Sequence, residues 1–124
     1  MPKVSKDQIS EVTRVEGYEG RMTEIDDYTV AFETYTADAD LAPLLKGLPD
    51  DRCQARHWGV VLKGKVVYHY AEGSEEITAG EAYYCRPGHT PEIFEGTEVV
   101  EFSPTDEFKK TLEVALKNAE AQGS

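Results

Sequence analysis

The sequence predicts an all-β fold, a β-sandwich or small barrel, followed by one terminal helix. The main observation is a series of short runs rich in β-branched and aromatic residues after Cys53, separated by glycine-containing turns. Short strands at regular spacing with such turns are typical of these folds. The 124 residues also suffice for one core. We therefore expect a single domain over residues 1–124, with a β core at about 20–103 and a helix at about 104–120.

The first predicted element is a β-hairpin between residues 21 and 36. Its segment RMTEIDDYTVAFETYT mixes β-branched and aromatic residues with acids and is interrupted at IDDY, which indicates two strands joined by a short turn. A short helix of about two turns is predicted next, in ADADLAPLLKGLPDD. Asp40 can cap it, the leucines recur at helical spacing, and Gly47 with Pro49 ends it.

Four further strand-like runs follow: CQARHWGVVL, KVVYHYAEG, EEITAGEAYYCRP and TEVVEFS. If Cys53 and His57 both lie on the first of these strands, their even separation places them on one face. Tyr83 and Cys85 also share a face, and we expect both inside the fold. The hydroxyl of Tyr83 is then available to a ligand, although its ring could equally serve only to fill the interior.

The last predicted element is an amphipathic helix. Ser103 can cap it and Pro104 suits its first position, with acids in the first turn. Five apolar residues form one stripe at helical spacing, which we expect to pack outside the sheets: Phe108, Leu112, Ala115, Leu116 and Ala119.

The composition excludes several classes of partner. With 24 acidic and 13 basic residues, the formal charge of −11 argues against binding to nucleic acid or to an anionic membrane surface. No apolar run approaches the ~18 residues of a spanning helix, and the start lacks the apolar stretch of a secretory signal. We therefore expect a cytoplasmic protein in which Cys53 and Cys85 are unpaired thiols.

The segment from residue 51 to residue 91 resembles the motifs of the cupin superfamily. The first cupin motif is glycine, five residues, His-x-His, three or four residues, glutamate, six residues and glycine. Counted back from Gly64, His57 stands at the glutamate position, while Cys53 and Asp51 stand at the two histidine positions. The spacing matches although the residues differ, and Leu45 replaces the leading glycine.

The second cupin motif is glycine, five residues, Pro-x-Gly, two residues, histidine, three residues and asparagine. Gly80 and Gly88 are in place, but Pro91 stands where the histidine ligand is expected. His89 comes two residues earlier. In an extended segment two residues are one full period, so His89 would still point into the barrel.

The resemblance implies a double-stranded β-helix, or jelly-roll barrel, and a small bacterial cupin of unassigned activity. It leaves the chemistry open, because cupins include oxygenases, isomerases, decarboxylases, storage proteins and sugar-sensing domains. It also implies a homodimer, since small cupins often pair through their outer strands.

Cys53, His57 and His89 together would make a metal site with one thiolate and two imidazoles. Three protein ligands and an open position are the arrangement of catalytic zinc, and this donor set favours zinc, or copper if the geometry allows. Asp51 could supply a fourth ligand and close the site. The alternative is that Cys53 is a small buried apolar residue and His57 a hydrogen-bonded core histidine.

Two kinds of function remain open from the sequence. One is a metal-dependent enzyme acting on a small molecule in the barrel, with Tyr83 or Asp51 as a candidate proton carrier. The other is a non-catalytic module that binds a small ligand or a metal. A cupin that has lost its metal and serves in dimerisation or as a scaffold is a third alternative.

Overall fold

The computed structural model of the chain describes residues 3–122, and just under half of these lie in β-strands. The strands are β1 (Val12–Val15), β2 (Tyr18–Ile25), β3 (Tyr28–Tyr35), β4 (Ala39–Asp40), β5 (His57–Lys63), β6 (Lys65–Tyr70), β7 (Gly73–Thr78), β8 (Ala82–Cys85), β9 (Thr90–Ile93) and β10 (Thr97–Pro104). Helix α1 (Thr105–Gln122) follows. Short 3-10 turns lie at Lys6–Gln8, Ala42–Leu45 and Pro49–Asp51.

The strands form two antiparallel sheets that pack face to face, and the chain has the all-β jelly-roll fold that the sequence predicts. The larger sheet has the order β1-β2-β3-β10-β5-β8, and the smaller has the order β4-β9-β6-β7. Side chains from both sheets meet in one core, among them Val61, Val66 and Val99. Burial alternates along β5, where His57 is buried and Trp58 faces outward.

The predicted hairpin is present as β2 and β3. Its turn residues Asp26 and Asp27 have φ values of 49° and 67°. Two positive φ values in a two-residue loop match the right-handed twist of the flanking strands, and aspartate tolerates this conformation better than most residues.

The predicted two-turn helix before the core motif is replaced by two separate 3-10 turns. Asp40 does accept a hydrogen bond from the backbone N–H of Ala42, at 3.0 Å. Lys46 is already extended, with φ −60° and ψ 131°, and Gly47 takes a φ of 103°, so the chain leaves the helical conformation after one turn. Strand β9 was not predicted, because its segment contains Pro91 and lacks the alternation of a typical strand.

Helix α1 has the predicted place in the chain, but its start and its inward face differ from the prediction. Ser103 continues strand β10 instead of capping the helix. The buried residues of the helix are Thr105 and Thr111, whereas Leu116 is 55% exposed. Of the predicted apolar stripe, Phe108, Leu112 and Ala115 are partly buried, whereas Ala119 is exposed like Leu116. In the described part of the chain, no helix is both long and apolar enough to span a membrane.

Candidate metal centre

Cys53, His57 and His89 come together inside the barrel. One ligand atom from each of these residues lies within 4.8 Å of the others. The three residues are nearly inaccessible to solvent, with exposed fractions of 3% for Cys53, 5% for His57 and 1% for His89. The three residues singled out by the sequence thus share one buried location.

Cys53 reaches this location from a loop and not from a strand, so the expectation that it continues β5 is wrong. Its backbone N–H donates to the carbonyl of His89 at 2.8 Å, and the N–H of Gly88 donates to the carbonyl of Cys53 at 2.8 Å. These bonds form an isolated antiparallel bridge between Cys53 and His89. The backbone itself therefore holds two of the candidate ligands side by side.

The outer ring nitrogen of each histidine is engaged by the protein. Nδ1 of His89 donates to the carbonyl of Arg86 at 2.7 Å, and Nδ1 of His57 lies 2.6 Å from the hydroxyl of Ser103. The Nε2 atoms remain for the centre, and that of His57 lies 3.6 Å from Sγ of Cys53. A partner on the outer nitrogen fixes the tautomer and orientation of a ligating histidine.

The electrostatic environment favours a thiolate beside an imidazolium when no metal is bound. Burial alone would raise the pKa of the Cys53 thiol, but hydrogen bonds to His57 and His89 outweigh burial and lower this pKa to about 6. Burial alone would lower the pKa of His57, but the charge of Glu101 and the Cys53 thiol outweigh it and raise the pKa to about 9. At neutral pH, one proton is therefore bound to the ring of His57 and none to the sulfur of Cys53.

Glu101 is a functional candidate that the sequence reasoning missed. Its Oε1 accepts hydrogen bonds from the hydroxyls of Tyr68 at 2.9 Å and Tyr83 at 2.7 Å, and its Oε2 lies 3.7 Å from Nδ1 of His57. The segment TEVVEFS does indicate its position, because Glu101 lies two residues after the buried Val99 on β10. Residues two apart on a strand point to the same face, so Glu101 is expected to face the interior.

A second interior carboxyl group, that of Glu33, was also missed. It lies on β3 directly opposite Val99 of β10 and accepts a hydrogen bond from the hydroxyl of Tyr18 at 2.5 Å. Burial, together with the negative charge of Glu101, raises the pKa of Glu33 to about 7. The barrel interior therefore contains two acidic side chains as well as the Cys-His-His centre.

The remaining predicted site residues lie elsewhere or are already engaged. Tyr83 is buried, as predicted, but its hydroxyl is bound to Glu101. Asp51 is exposed, and its carboxylate accepts the backbone N–H of Gly47 at 3.0 Å. The structure therefore does not bring Asp51 to the three candidate ligands.

Two surface depressions lie near the barrel, of about 440 and 270 Å³. The larger is lined by Tyr70, Glu72, Gly73, Ser74, Glu75, Tyr84 and Arg86, and the smaller by Lys6, Arg14, Val15, Tyr18, Glu19, Thr34 and Thr36. Neither depression includes a candidate ligand, which matches the near-complete burial of the centre.

Comparison with known proteins finds no matching family model and no curated protein with significant sequence similarity. Solved structures are similar in fold. A protein of unknown function from Rhizobium leguminosarum has a TM-score of 0.60 and 16% identity, over 83% of this chain and 95% of that chain. The polyketide cyclase RemF from Streptomyces resistomycificus has a TM-score of 0.58 and 13% identity, over 85% of this chain and 80% of that one.

An RmlC-like cupin from Shewanella frigidimarina has a TM-score of 0.56 and 14% identity, and the match covers 82% of this chain and 88% of that chain. At such identities the likeness concerns the fold and not the activity. Two antiparallel sheets, one terminal helix and these similar structures agree on the architecture. The chain is a small protein with the cupin-like jelly-roll fold.

Proposed function

We propose that the chain binds a divalent transition metal, zinc by preference, through Cys53, His57 and His89. The observation that carries this proposal is the distance of 3.6 Å between Sγ of Cys53 and Nε2 of His57. Zn–S and Zn–N bonds of about 2.3 and 2.0–2.1 Å at a tetrahedral angle place sulfur and nitrogen roughly 3.5 Å apart. The spacing of Cys53 and His57 is thus compatible with a shared zinc ion, and the ligand atoms of all three residues lie within 4.8 Å of one another.

The chemistry of the donor set supports the same ion. Thiolate and imidazole are ligands of zinc and copper and not of magnesium or calcium. The lowered pKa of Cys53 supplies the thiolate at neutral pH, whereas the raised pKa of His57 means that metal binding must displace a proton from this imidazole. Affinity should therefore rise with pH as the imidazolium of His57 is neutralised.

A second candidate function is catalysis on a small molecule. Three protein ligands leave one tetrahedral position for water or substrate, and a bound ion would supply Lewis acidity there. Within the chain, Ser103 and Glu101 would hold the orientation and charge of His57. The alternative is a non-catalytic metal-binding or small-ligand module, which the near-complete burial of the three ligands favours.

Metal analysis of protein purified without a polyhistidine tag tests the main proposal. We expect about one equivalent of zinc per chain by elemental mass spectrometry, lost in Cys53→Ser and in His89→Ala. Cys85→Ser is the matched control, because Cys85 is also a buried free cysteine but lies outside the group of three. A metal-free parent that also fails to take up added zinc would refute the proposal.

We also propose that two copies of the chain pair through the outer face of the larger sheet. Exposed aromatic side chains lie there in adjacent strands, with Trp58 opposite Phe102 on one side and Tyr84 on the other. Their exposed fractions are 36%, 41% and 46%. A contiguous exposed apolar surface of this kind is typical of a protein–protein contact.

A further inference from the structure

Helix α1 covers the Cys53–His57–His89 centre on one side. The hydroxyl of Thr111, in the middle of the helix, lies 3.3 Å from Sγ of Cys53. One turn earlier, the ring of Phe108 stands edge-on to the ring of His57, with centroids 6.2 Å apart. The helix therefore contributes directly to the burial of the thiol and of one imidazole.

Partly exposed polar contacts attach the helix to the barrel at two places. Glu107 pairs with Arg56 through both carboxylate oxygens, the shortest distance being 2.6 Å. Further along, the side-chain amide of Asn118 donates to the carbonyls of Leu44 at 2.7 Å and Lys46 at 2.9 Å. These contacts join the helix to the loop that precedes Cys53 and to the residue that precedes His57.

The beginning of the helix is fixed more firmly than the rest. Thr105 is buried, its N–H donates to the carbonyl of Asp27 at 2.9 Å, and its hydroxyl bonds that of Thr29 at 2.9 Å. Beyond this point the one buried residue is Thr111, and Leu116 is 55% exposed. The apolar residues of its inward face, Phe108, Leu112, Val114 and Ala115, are only partly buried, so they hold the helix less firmly than fully buried side chains would.

We propose that helix α1 is a detachable cover, anchored at Thr105, whose release opens the Cys53–His57–His89 centre to ions and small solutes. A centre this deeply buried, with neither depression reaching it, exchanges its contents only when a covering element moves. Among the elements that contact the thiol, α1 is attached by partly exposed polar contacts, whose individual contributions are small. Elements with such attachments open before the core of a fold does.

The access of a thiol reagent to Cys53 tests this cover directly. The experiment uses full-length metal-free protein carrying Cys85→Ala, so that Cys53 is the sole remaining thiol. An aromatic disulfide is added in excess; the Cys53 thiolate forms a mixed disulfide and releases one coloured aromatic thiolate per chain. We expect Glu107→Gln and Asn118→Ala each to raise the reaction rate by about two- to fivefold, because each removes one attachment of the helix.

Glu113→Gln is the matched control, since it makes the same change of charge on the same helix at an exposed position. The control should react at the parent rate, and urea unfolding should show that the β core of every variant stays folded at the assay temperature. Hydrogen exchange should be faster for the α1 amides after Thr105 than for those of β5 and β10.

The proposal would be overturned if the thiol reacted at the same rate in the parent, in Glu107→Gln and in Asn118→Ala. It would also be overturned if the thiol of the parent reacted no faster than the whole protein unfolds. If one variant does not fold, the other gives the same readout. The identity of the ion rests on the proposed function, but the thiol rate does not. If the protein does not bind zinc but the variants still react faster than the parent, the proposed metal site is wrong and the proposed cover is not affected.

Discussion

Cys53 and His57 have pKa values that move in opposite directions, to about 6 and about 9. The folded-state pKa of Cys53 lies below its ordinary value of about 8.5, so its stabilisation is lost as pH falls towards 6. The folded-state pKa of His57 lies above its ordinary value of about 6.5, so its stabilisation is lost as pH rises through 9. Between about pH 6.5 and 8.5 the two groups change the free energy of unfolding with pH by equal and opposite amounts. In this range folding moves a proton from sulfur to nitrogen without net proton uptake.

Titration of the thiol tests this pair. In metal-free Cys85→Ala protein we expect the ultraviolet absorbance of the Cys53 thiolate to appear with a midpoint at about pH 6. In His57→Gln the midpoint should move up towards about 8.5 or beyond, because the cation is gone while burial remains. A parent midpoint in the ordinary range of a free thiol would contradict the assignment.

Glu33 gives a second prediction at the residue scale, since burial and the charge of Glu101 raise its pKa to about 7. A carboxyl group whose pKa is raised in the folded state stabilises fully below its unfolded value of about 4.3, and this stabilisation is lost as pH rises through about 7. Glu33→Gln keeps an acceptor for Tyr18 and carries no charge. We expect it to be more stable than the parent by about 1–3 kcal/mol near pH 8, and equal to it near pH 4.

Urea unfolding at the two pH values measures this difference. Glu24→Gln is the control, because Glu24 lies on the adjacent strand β2 and is exposed. It should show no pH-dependent gain. If Glu33→Gln is less stable than the parent near pH 8, its surroundings stabilise the ionised carboxylate, and the prediction is wrong.

The candidate ligands could be found from the sequence, but the groups around them could not. Cys53, His57 and His89 keep a recognisable spacing within one continuous segment. Glu33 and Glu101 meet only because β3 and β10 are neighbours in the larger sheet. Ser103 was interpreted as a helix cap, since a serine before a proline and two acids is locally typical of one, yet pairing with β3 extends β10 through this position.

At the scale of elements, Gly59 shows why β5, β8 and β10 pack as closely as they do. A Cβ at this position would lie 2.6 Å from the hydroxyl of Tyr83 and 2.7 Å from the carbonyl oxygen of Val100. The Tyr83 hydroxyl is held by Glu101, and the carbonyl belongs to the neighbouring strand. Neither atom can move without disturbing the sheet or the surroundings of His57.

Gly59→Ala should therefore destabilise the fold by about 1–3 kcal/mol, as overpacking does, and should also weaken zinc binding. Gly80→Ala is the comparison, because a Cβ there meets no atom within 4 Å although φ is +89°. It should cost roughly 1–2 kcal/mol through backbone strain alone and leave zinc affinity unchanged. Urea unfolding and competitive zinc titration measure the two quantities, and equal zinc affinities in both variants would contradict the argument.

The strands of the core were predictable because alternation and glycine turns are local signals, as β5 to β8 illustrate. The prediction of a two-turn helix is wrong because Lys46 is already extended and Gly47 takes a positive φ, so the helical conformation lasts for only one turn. The apolar face predicted for α1 is only partly correct, because Leu116 and Ala119 are exposed. Its orientation depends on Arg56 and on the carbonyls of Leu44 and Lys46, which are distant in sequence.

At the scale of the whole molecule, a formal charge of −11 keeps copies apart at long range, whereas the outer face of the larger sheet can join them at short range. The ring of Trp58 lies 5.0 Å from that of Tyr84 and 6.3 Å from that of Tyr28. Val60 continues this apolar face between Val100 and Ala82. Salt should therefore strengthen association, because it screens the repulsion and leaves the apolar contact intact.

We expect sedimentation equilibrium to show a dimer of the parent that tightens as sodium chloride is raised, and a monomer of Trp58→Glu. The new carboxylate would be buried without a partner at the centre of the face, at a cost that a contact of ordinary size does not offset. Leu116→Glu is the matched control, because Leu116 is an exposed apolar residue on α1, away from the sheet. It should remain a dimer. If the parent stays monomeric at every salt concentration, the proposed dimer is wrong. If Trp58→Glu is still a dimer, the two copies contact each other through another surface.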